Sequence, residues 1–157
     1  MFEYLGVFEI FEKYYNDDLS EIPEPGRAIV VVISADGVIG NGGFEYFMES
    51  DFPNGVPHIN LADSYDIINL KPAAGIIREA CGLIGHVVGL PYEHRKIRFD
   101  KNKEKLTELF RMYLDLNKDI TCSVKENSEK FCRDFNAHVP RKMFLLMKYY
   151  SRKLGIH

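Results

Sequence analysis

Glycine is concentrated in residues 37–48, which read Gly-Val-Ile-Gly-Asn-Gly-Gly-Phe-Glu-Tyr-Phe-Met. Three glycines fall within four positions there, between an apolar segment and a run of aromatic residues. Each glycine weakens a helix interior by about 1 kcal/mol relative to alanine, so a cluster of them marks a turn or a close approach of another segment. We therefore expect Asn41, Gly42, Gly43 and Phe44 to shape a tight turn between two helices, with Asn41 capping the second helix.

The apolar run before this stretch, Ala28–Ile33, is rich in β-branched residues and suits either a buried strand or a buried helix. No second run of comparable strength is present to pair with it, and a lone strand cannot satisfy its own backbone hydrogen bonds. We therefore predict a buried helix over residues 25–39.

Apolar residues recur every three or four positions along most of the remaining chain, which indicates amphipathic helices. Residues 86–101 lack this pattern and are predicted to be irregular. The result is a single compact all-α domain of about seven helices over residues 1–157. Outside the glycine region, helices are predicted along Phe2–Tyr15 and Leu106–Leu116. Further helices are predicted to start at Asn60, at Pro72 (ending at Gly85), at Ser123 (with Glu126 in a capping box) and at Pro140.

The cysteine content and the N-terminus favour a cytoplasmic protein. Cys81, Cys122 and Cys132 are odd in number and lack Cys-x-x-Cys spacing, which favours reduced thiols. The N-terminus does not have the pattern of a secretory signal, and Ala28–Ile33 is too short to cross a bilayer. The sequence thus predicts no membrane partner.

Charge is strongly segregated along the chain. Residues 1–70 contain 13 acidic and 2 basic residues, a net charge of −11, whereas residues 71–157 contain 10 acidic and 18 basic residues, a net charge of +8. Such segregation can steer a charged partner, although the two halves can also neutralise each other once they pack.

Sequence motifs for catalysis and for cofactor binding are missing. The spacing from Gly40 and Gly42 would require a third glycine at position 45 for a dinucleotide site, and that residue is Glu45. His86, His94 and Cys81 do not match a zinc-binding spacing. We therefore predict no enzymatic activity, no cofactor and no metal ion.

Four stretches resemble a bacterial family of small helical domains of unknown function, whose signature is Asn-Gly-Gly-Phe followed by an aromatic residue. They are residues 37–47, Glu49-Ser-Asp51, Ala62-Asp-Ser-Tyr65 and Ala74-Gly-Ile-Ile-Arg-Glu-Ala80. The resemblance covers residues 27–84 and, more loosely, extends to residue 138. It implies an all-α fold, often dimeric, without established catalysis. One member type is a DNA mimic that presents carboxylates in place of phosphates to a transcription factor or nucleoid protein, and related domains act as immunity or regulatory partners.

Our leading hypothesis is a protein-binding regulator, either DNA-mimic-like or immunity-type, whose partner is a DNA-binding protein or a toxin. The predicted contact residues are the acids Glu45, Glu49, Asp51, Asp63 and Asp66. Glu45 and Glu49 form an i,i+4 pair of like charges with no basic residue within one turn, so we expect them to be uncompensated.

Two alternatives remain open from sequence. The first is a small-ligand-binding or hydrolytic enzyme that uses His86 or His94 in a pocket beside the glycine turn. The second is a nucleic-acid binder that uses the basic residues 95–103, although the pI of about 6.0 argues against direct nucleic-acid binding. The sequence leaves monomer and homodimer equally open.

Overall fold

The computed structural model describes residues 23–52 and 56–138. These ranges form six helices and no strand, so the predicted all-α fold is confirmed with six helices in the described part instead of about seven. The helices predicted near Phe2 and Pro140 lie outside the described residues. The six helices are α1 (Gly26–Glu49), α2 (His58–Ile67), α3 (Lys71–Ile84), α4 (Tyr92–Lys101), α5 (Lys103–Asp115) and α6 (Asn117–His138).

Helix α1 is the central element, and it packs against α2, α4, α5 and α6. Ala28, Val32, Ala35 and Ile39 repeat at helical spacing and are fully buried, which confirms the predicted buried helix. By length and composition alone, α1 is also the one described helix that could span a membrane. Its packing against four other helices accounts for its apolar composition, since the core helix of a domain passes the same test.

Helix α1 is kinked at Gly43. This residue has φ 66° and ψ −163°, a conformation that is essentially restricted to glycine. A Cβ atom at this position would also lie 3.4 Å from the Phe110 ring. The predicted break is therefore a kink within the single helix Gly26–Glu49, and the prediction of a tight turn between two helices after residue 39 was wrong. Asn41 does not cap a new helix, because it still lies in the helical backbone two residues before the kink.

Phe44 follows the kink and anchors it in the core. Its ring is 1% exposed and packs edge to face against Phe47 and Tyr113, with ring centroids 5.9 and 6.1 Å away. The aromatic residues that resume after the glycines thus fix the second part of α1 against α5.

The predicted bounds of α3 are confirmed, since Pro72 lies in its first turn and Gly85 ends it with φ 75°. Two other predicted helix starts were wrong. Helix α2 begins at His58, two residues before Asn60. Ser123 lies inside α6, where its hydroxyl donates to the carbonyl of Ile68 in the preceding α2–α3 turn and does not form a capping box.

The prediction that residues 86–101 are irregular was also wrong, because α4 occupies Tyr92–Lys101. Only Arg95 and Phe99 of this helix are buried, so its sequence has no apolar repeat that could reveal it. Polar contacts made by its basic residues hold α4 in place.

Candidate functional site

The five acids predicted to contact a partner form two groups. Glu45, Glu49 and Asp51 lie at the C-terminal end of α1, beside α4, whereas Asp63 and Asp66 lie on α2 beside α3. Within the described ranges, no ion pair joins one group to the other. The structure therefore places three of the five residues together at one site and the other two together at a second site.

Lys96 of α4 neutralises part of the first group. Its ammonium lies 2.8 Å from the carboxylate of Glu45 and 3.2 Å from that of Asp100. The expectation that Glu45 is uncompensated was therefore wrong, because the compensating charge comes from a residue 51 positions away. Glu49 faces the exposed Tyr92, and its negative charge is the main cause of the raised pKa of the Tyr92 hydroxyl.

We call the surface formed here the α1–α4 face. Glu93, Lys96, Ile97 and Asp100 follow the i, i+3, i+4, i+7 pattern and so share one side of α4. The face also exposes two large apolar side chains, Tyr92 (53% exposed) and Ile97 (61%), and Tyr46, which follows Glu45 in α1, is 48% exposed. The charged members of the face are the carboxylates of Glu45, Glu49, Asp51, Glu93 and Asp100, and the partly exposed ammonium of Lys96 lies among them.

A buried arginine fixes this end of α1. Arg95 is only 5% exposed, and it donates to the main-chain carbonyls of Glu49 at 2.9 Å and Leu90 at 2.8 Å. Its second terminal nitrogen lies 2.8 Å from the carboxylate of Asp51. The guanidinium thereby satisfies carbonyls that a helix end leaves without partners and holds one acid of the face in position.

His58 completes the same arrangement from the start of α2. Its Nε2 lies 2.9 Å from the carbonyls of both Phe47 and Ser50, so Nε2 carries the proton and donates to both. Burial lowers the pKa of His58, and its Nδ1 atom is buried without a hydrogen-bond partner. The neutral ring therefore acts as a clamp between α1 and α2.

Arg78 organises the second group of acids. One of its terminal nitrogens lies 2.7 Å from the carboxylate of Asp63 and 2.6 Å from that of Asp66. The ion pair with Asp63 links two of the stretches that carry the family resemblance, 62–65 on α2 and 74–80 on α3. This group has one negative charge in excess and is partly exposed.

The basic residues 95–103 do not form a free loop. Besides Arg95 and Lys96, Arg98 is used internally, because it donates to the carbonyls of His86 at 2.8 Å and Ile84 at 3.3 Å at the end of α3. Three of the basic side chains that the nucleic-acid hypothesis required to contact phosphates, Arg95, Lys96 and Arg98, thus have intramolecular partners. This placement gives no support to the alternative of a nucleic-acid-binding loop.

The enzyme alternative requires a histidine in a pocket beside the glycine turn. His86 lines a pocket of about 330 Å³ between α2 and α3, away from that turn, together with His58 and Cys81. Burial raises the pKa of the Cys81 thiol to about 12, so the thiol is protonated and a poor nucleophile at neutral pH. His94 is exposed on α4. Within residues 23–52 and 56–138, no three His, Cys, Asp or Glu residues are placed to share a metal ion.

A hydrogen-bonded chain of three side chains was missed at the sequence level. The hydroxyls of Tyr65 and Tyr113 lie 2.7 Å apart, and that of Tyr113 donates to the carboxylate of Asp36 at 2.9 Å. Asp36 and Tyr113 line a second pocket, of about 220 Å³, beside the glycine stretch. An acidic residue inside the most apolar helix was the available signal for this site.

The fold and these surfaces define an all-α domain that presents an acidic face containing the exposed Tyr92. Over residues 20–148 the chain matches the family described as DMP19-like protein, and it belongs to that family. The match includes the whole of the predicted 27–138 region. DMP19 is a family of DNA-mimic proteins. Neither a curated protein nor a solved structure matches the chain.

Proposed function

We propose that this protein is a non-enzymatic cytoplasmic regulator that binds a DNA-binding protein through the α1–α4 face. The observation that carries the proposal is the set of five carboxylates on this face, of which Glu45 and Asp100 pair with Lys96 and Asp51 pairs with the buried Arg95. Membership of a DNA-mimic family supports the same reading.

Electrostatics explains how such a face would compete with DNA. Proteins that bind DNA obtain much of their affinity from contacts between Lys or Arg and phosphates. A surface that offers carboxylates at fixed positions can occupy those cations. Arg95 holds Asp51, and Lys96 holds Glu45, so ordering these two acids costs little conformational entropy when the partner binds.

The exposed tyrosines fit a protein partner better than a small ligand. Tyrosine is enriched at the centres of protein–protein interfaces, where its ring packs and its hydroxyl forms hydrogen bonds. Tyr92 lies near the carboxylates of Glu45 and Glu49, and Tyr46, which follows Glu45 in α1, is 48% exposed. We infer that Asp63 and Asp66 form a second contact area, because their side chains are 71% and 36% exposed and their two negative charges exceed the single positive charge of Arg78.

The partner can be identified by affinity capture of the tagged protein from its native lysate at low and at moderate salt, with mass spectrometry as the readout. We expect a stoichiometric DNA-binding protein that is released when the salt concentration rises. A toxin as the captured protein would support the immunity-type function instead. Capture of no protein at either salt concentration would contradict the proposal.

Charge reversal then tests the face itself. The double variant Glu45→Lys/Glu49→Lys should slow association with the captured partner by roughly tenfold at low salt, because charges at an interface act mainly on the association rate. Glu104→Lys/Glu108→Lys is the matched control, since it reverses two exposed acids at the same spacing on α5. Equal association rates for the two double variants would show that the α1–α4 face is not the contact surface.

A further inference from the structure

Asp36 is a half-buried carboxylate without a cationic partner among the described residues. It lies in the middle of α1, on the side facing α5, where the hydroxyl of Tyr113 donates to its Oδ1 at 2.9 Å. Burial raises the pKa of Asp36, and the hydrogen bond from Tyr113 offsets this only in part. Its other oxygen, Oδ2, has no hydrogen-bond donor within the described ranges.

The two tyrosines behind Asp36 orient their protons towards it. Tyr113 donates to Asp36, so the hydrogen between the two hydroxyls comes from Tyr65. Tyr65 and Tyr113 are 0% and 2% exposed, and burial raises the pKa of both hydroxyls, so they remain protonated donors. Successive hydrogen bonds polarise one another, which strengthens the negative end of the chain at Asp36.

The pocket in front of Asp36 is small. Gly37 and Gly40 form part of its wall, and a Cβ atom at either glycine would contact no described atom. Asn41 and Asn117, whose side chains are amides, also line the pocket. Its volume of about 220 Å³ lies below the roughly 300–1,000 Å³ typical of small-molecule sites. Such a space suits a single side chain.

We propose that this pocket is a binding site for the guanidinium group of an arginine from the protein partner. A guanidinium supplies the positive charge that Asp36 lacks, and it has five donors for Oδ2 and for the amide oxygens of Asn41 and Asn117. The inference rests on the proposed function, because a protein that contacts DNA phosphates presents arginines on its binding surface.

The site can be tested on the protein alone with methylguanidinium chloride as the probe, by following backbone amide resonances in a titration. We expect saturable shifts at Gly37, Gly40 and Asn41, and a lower pKa of Asp36 at saturation. Methylurea, which has a similar shape but no charge, should produce no saturable shift. Equal responses to the two compounds would overturn the proposal.

Asp36→Asn removes the charge but keeps an oxygen that can accept from Tyr113. This variant should lose the saturable response to methylguanidinium, whereas Asp119→Asn, which neutralises an exposed acid on α6, should retain it. Gly40→Leu provides a second variant, because its side chain would fill the pocket from an open position. Unchanged binding of the probe in both Asp36→Asn and Gly40→Leu would overturn the assignment of the site.

Binding of the captured partner to the variants distinguishes failure of this inference from failure of the proposed function. We expect Asp36→Asn to weaken binding of the partner about tenfold or more, as is typical for removal of one member of a desolvated ion pair. If Glu45→Lys/Glu49→Lys weakens the partner and Asp36→Asn does not, the pocket does not receive an arginine of the partner. If methylguanidinium binds and neither variant affects binding of the partner, the pocket is a cation site. In that case the partner does not bind through the acidic face, and no arginine of the partner enters the pocket.

Discussion

Arg95 and Asp51 are joined by an ion pair of 2.8 Å in which the guanidinium is buried and the carboxylate is exposed. The same guanidinium donates to the carbonyl of Glu49, so one side chain closes the end of α1 and positions an acid of the α1–α4 face. A residue that sequence analysis placed in a free basic stretch is therefore part of the support of the predicted acidic surface. Structure and proposed function depend on the same buried cation.

Replacement of Arg95 should lower the free energy of unfolding far more than replacement of an exposed arginine would. Arg95→Met would leave the carbonyls of Glu49 and Leu90 without their donor in a poorly hydrated place, which costs about 3 kcal/mol in free energy of unfolding. Chemical denaturation measures this value. Arg111→Met on the exposed side of α5 is the control and should stay within about 0.5 kcal/mol of the wild type. Equal losses in both variants would show that the buried contacts of Arg95 do not stabilise the domain.

The kink in α1 predicts opposite effects for two glycines of the same stretch. Gly43→Ala forces a Cβ atom into a backbone conformation restricted to glycine and should destabilise the protein by about 1–3 kcal/mol. Gly40 is helical and faces open space, so Gly40→Ala should stabilise the protein by about 0.4–1 kcal/mol. Thermal or chemical denaturation compares the two, and a gain in stability for Gly43→Ala would contradict the kink.

The course of α1 could be predicted from sequence, whereas α4 could not. The run from Ala28 to Ile33 had no possible strand partner, which left a helix, and clustered glycines marked the position of the kink. Helix α4 has no comparable local signal, because tertiary hydrogen bonds from Arg95 and Arg98 hold it. The carbonyl of Glu49 is 46 residues from Arg95 and that of His86 is 12 residues from Arg98, and local periodicity carries no information about either contact.

The candidate site, like the helices, was predictable from sequence only in part. The acids of residues 45–66 were visible as a charge pattern, but their grouping depends on Lys96 and Arg78, which come from other helices. The apolar repeat indicates that Tyr65 and Tyr113 face the core, yet it cannot show that their hydroxyls meet. Burial follows from local sequence, while polar pairing follows from the packing of helices distant in the chain.

The hydrogen-bonded tyrosines should respond unequally to loss of one hydroxyl. Tyr113→Phe leaves the buried Tyr65 hydroxyl without an acceptor and should cost about 2 kcal/mol, whereas Tyr65→Phe leaves the bond from Tyr113 to Asp36 intact and should cost about 1 kcal/mol. The double variant should cost less than the sum, because it removes both members of the pair. Additive losses in a double-mutant cycle would show that the two hydroxyls do not interact.

His58 predicts a loss of stability as the pH falls. Burial lowers its pKa in the folded protein from the ordinary value of 6.5, so below that pH the unfolded chain takes up a proton that the folded protein does not. The stabilisation is complete above about pH 6.5 and is lost as the pH falls from there towards the folded pKa, with a slope of at most about 1.4 kcal/mol per pH unit. The physical reason is that a proton on the buried Nδ1 would have no acceptor.

Two histidine variants measure this contribution. His58→Gln should reduce the free energy of unfolding more at pH 7.5 than at pH 5.5, because only the wild type loses the contribution of the neutral imidazole on acidification. His94→Gln removes an exposed histidine and should leave the difference between the two pH values as it is in the wild type. Carboxylates that titrate in this range are shared by all three proteins and cancel in the comparison. If His58→Gln keeps the pH dependence of the wild type, the neutral imidazole is not what clamps α1 to α2.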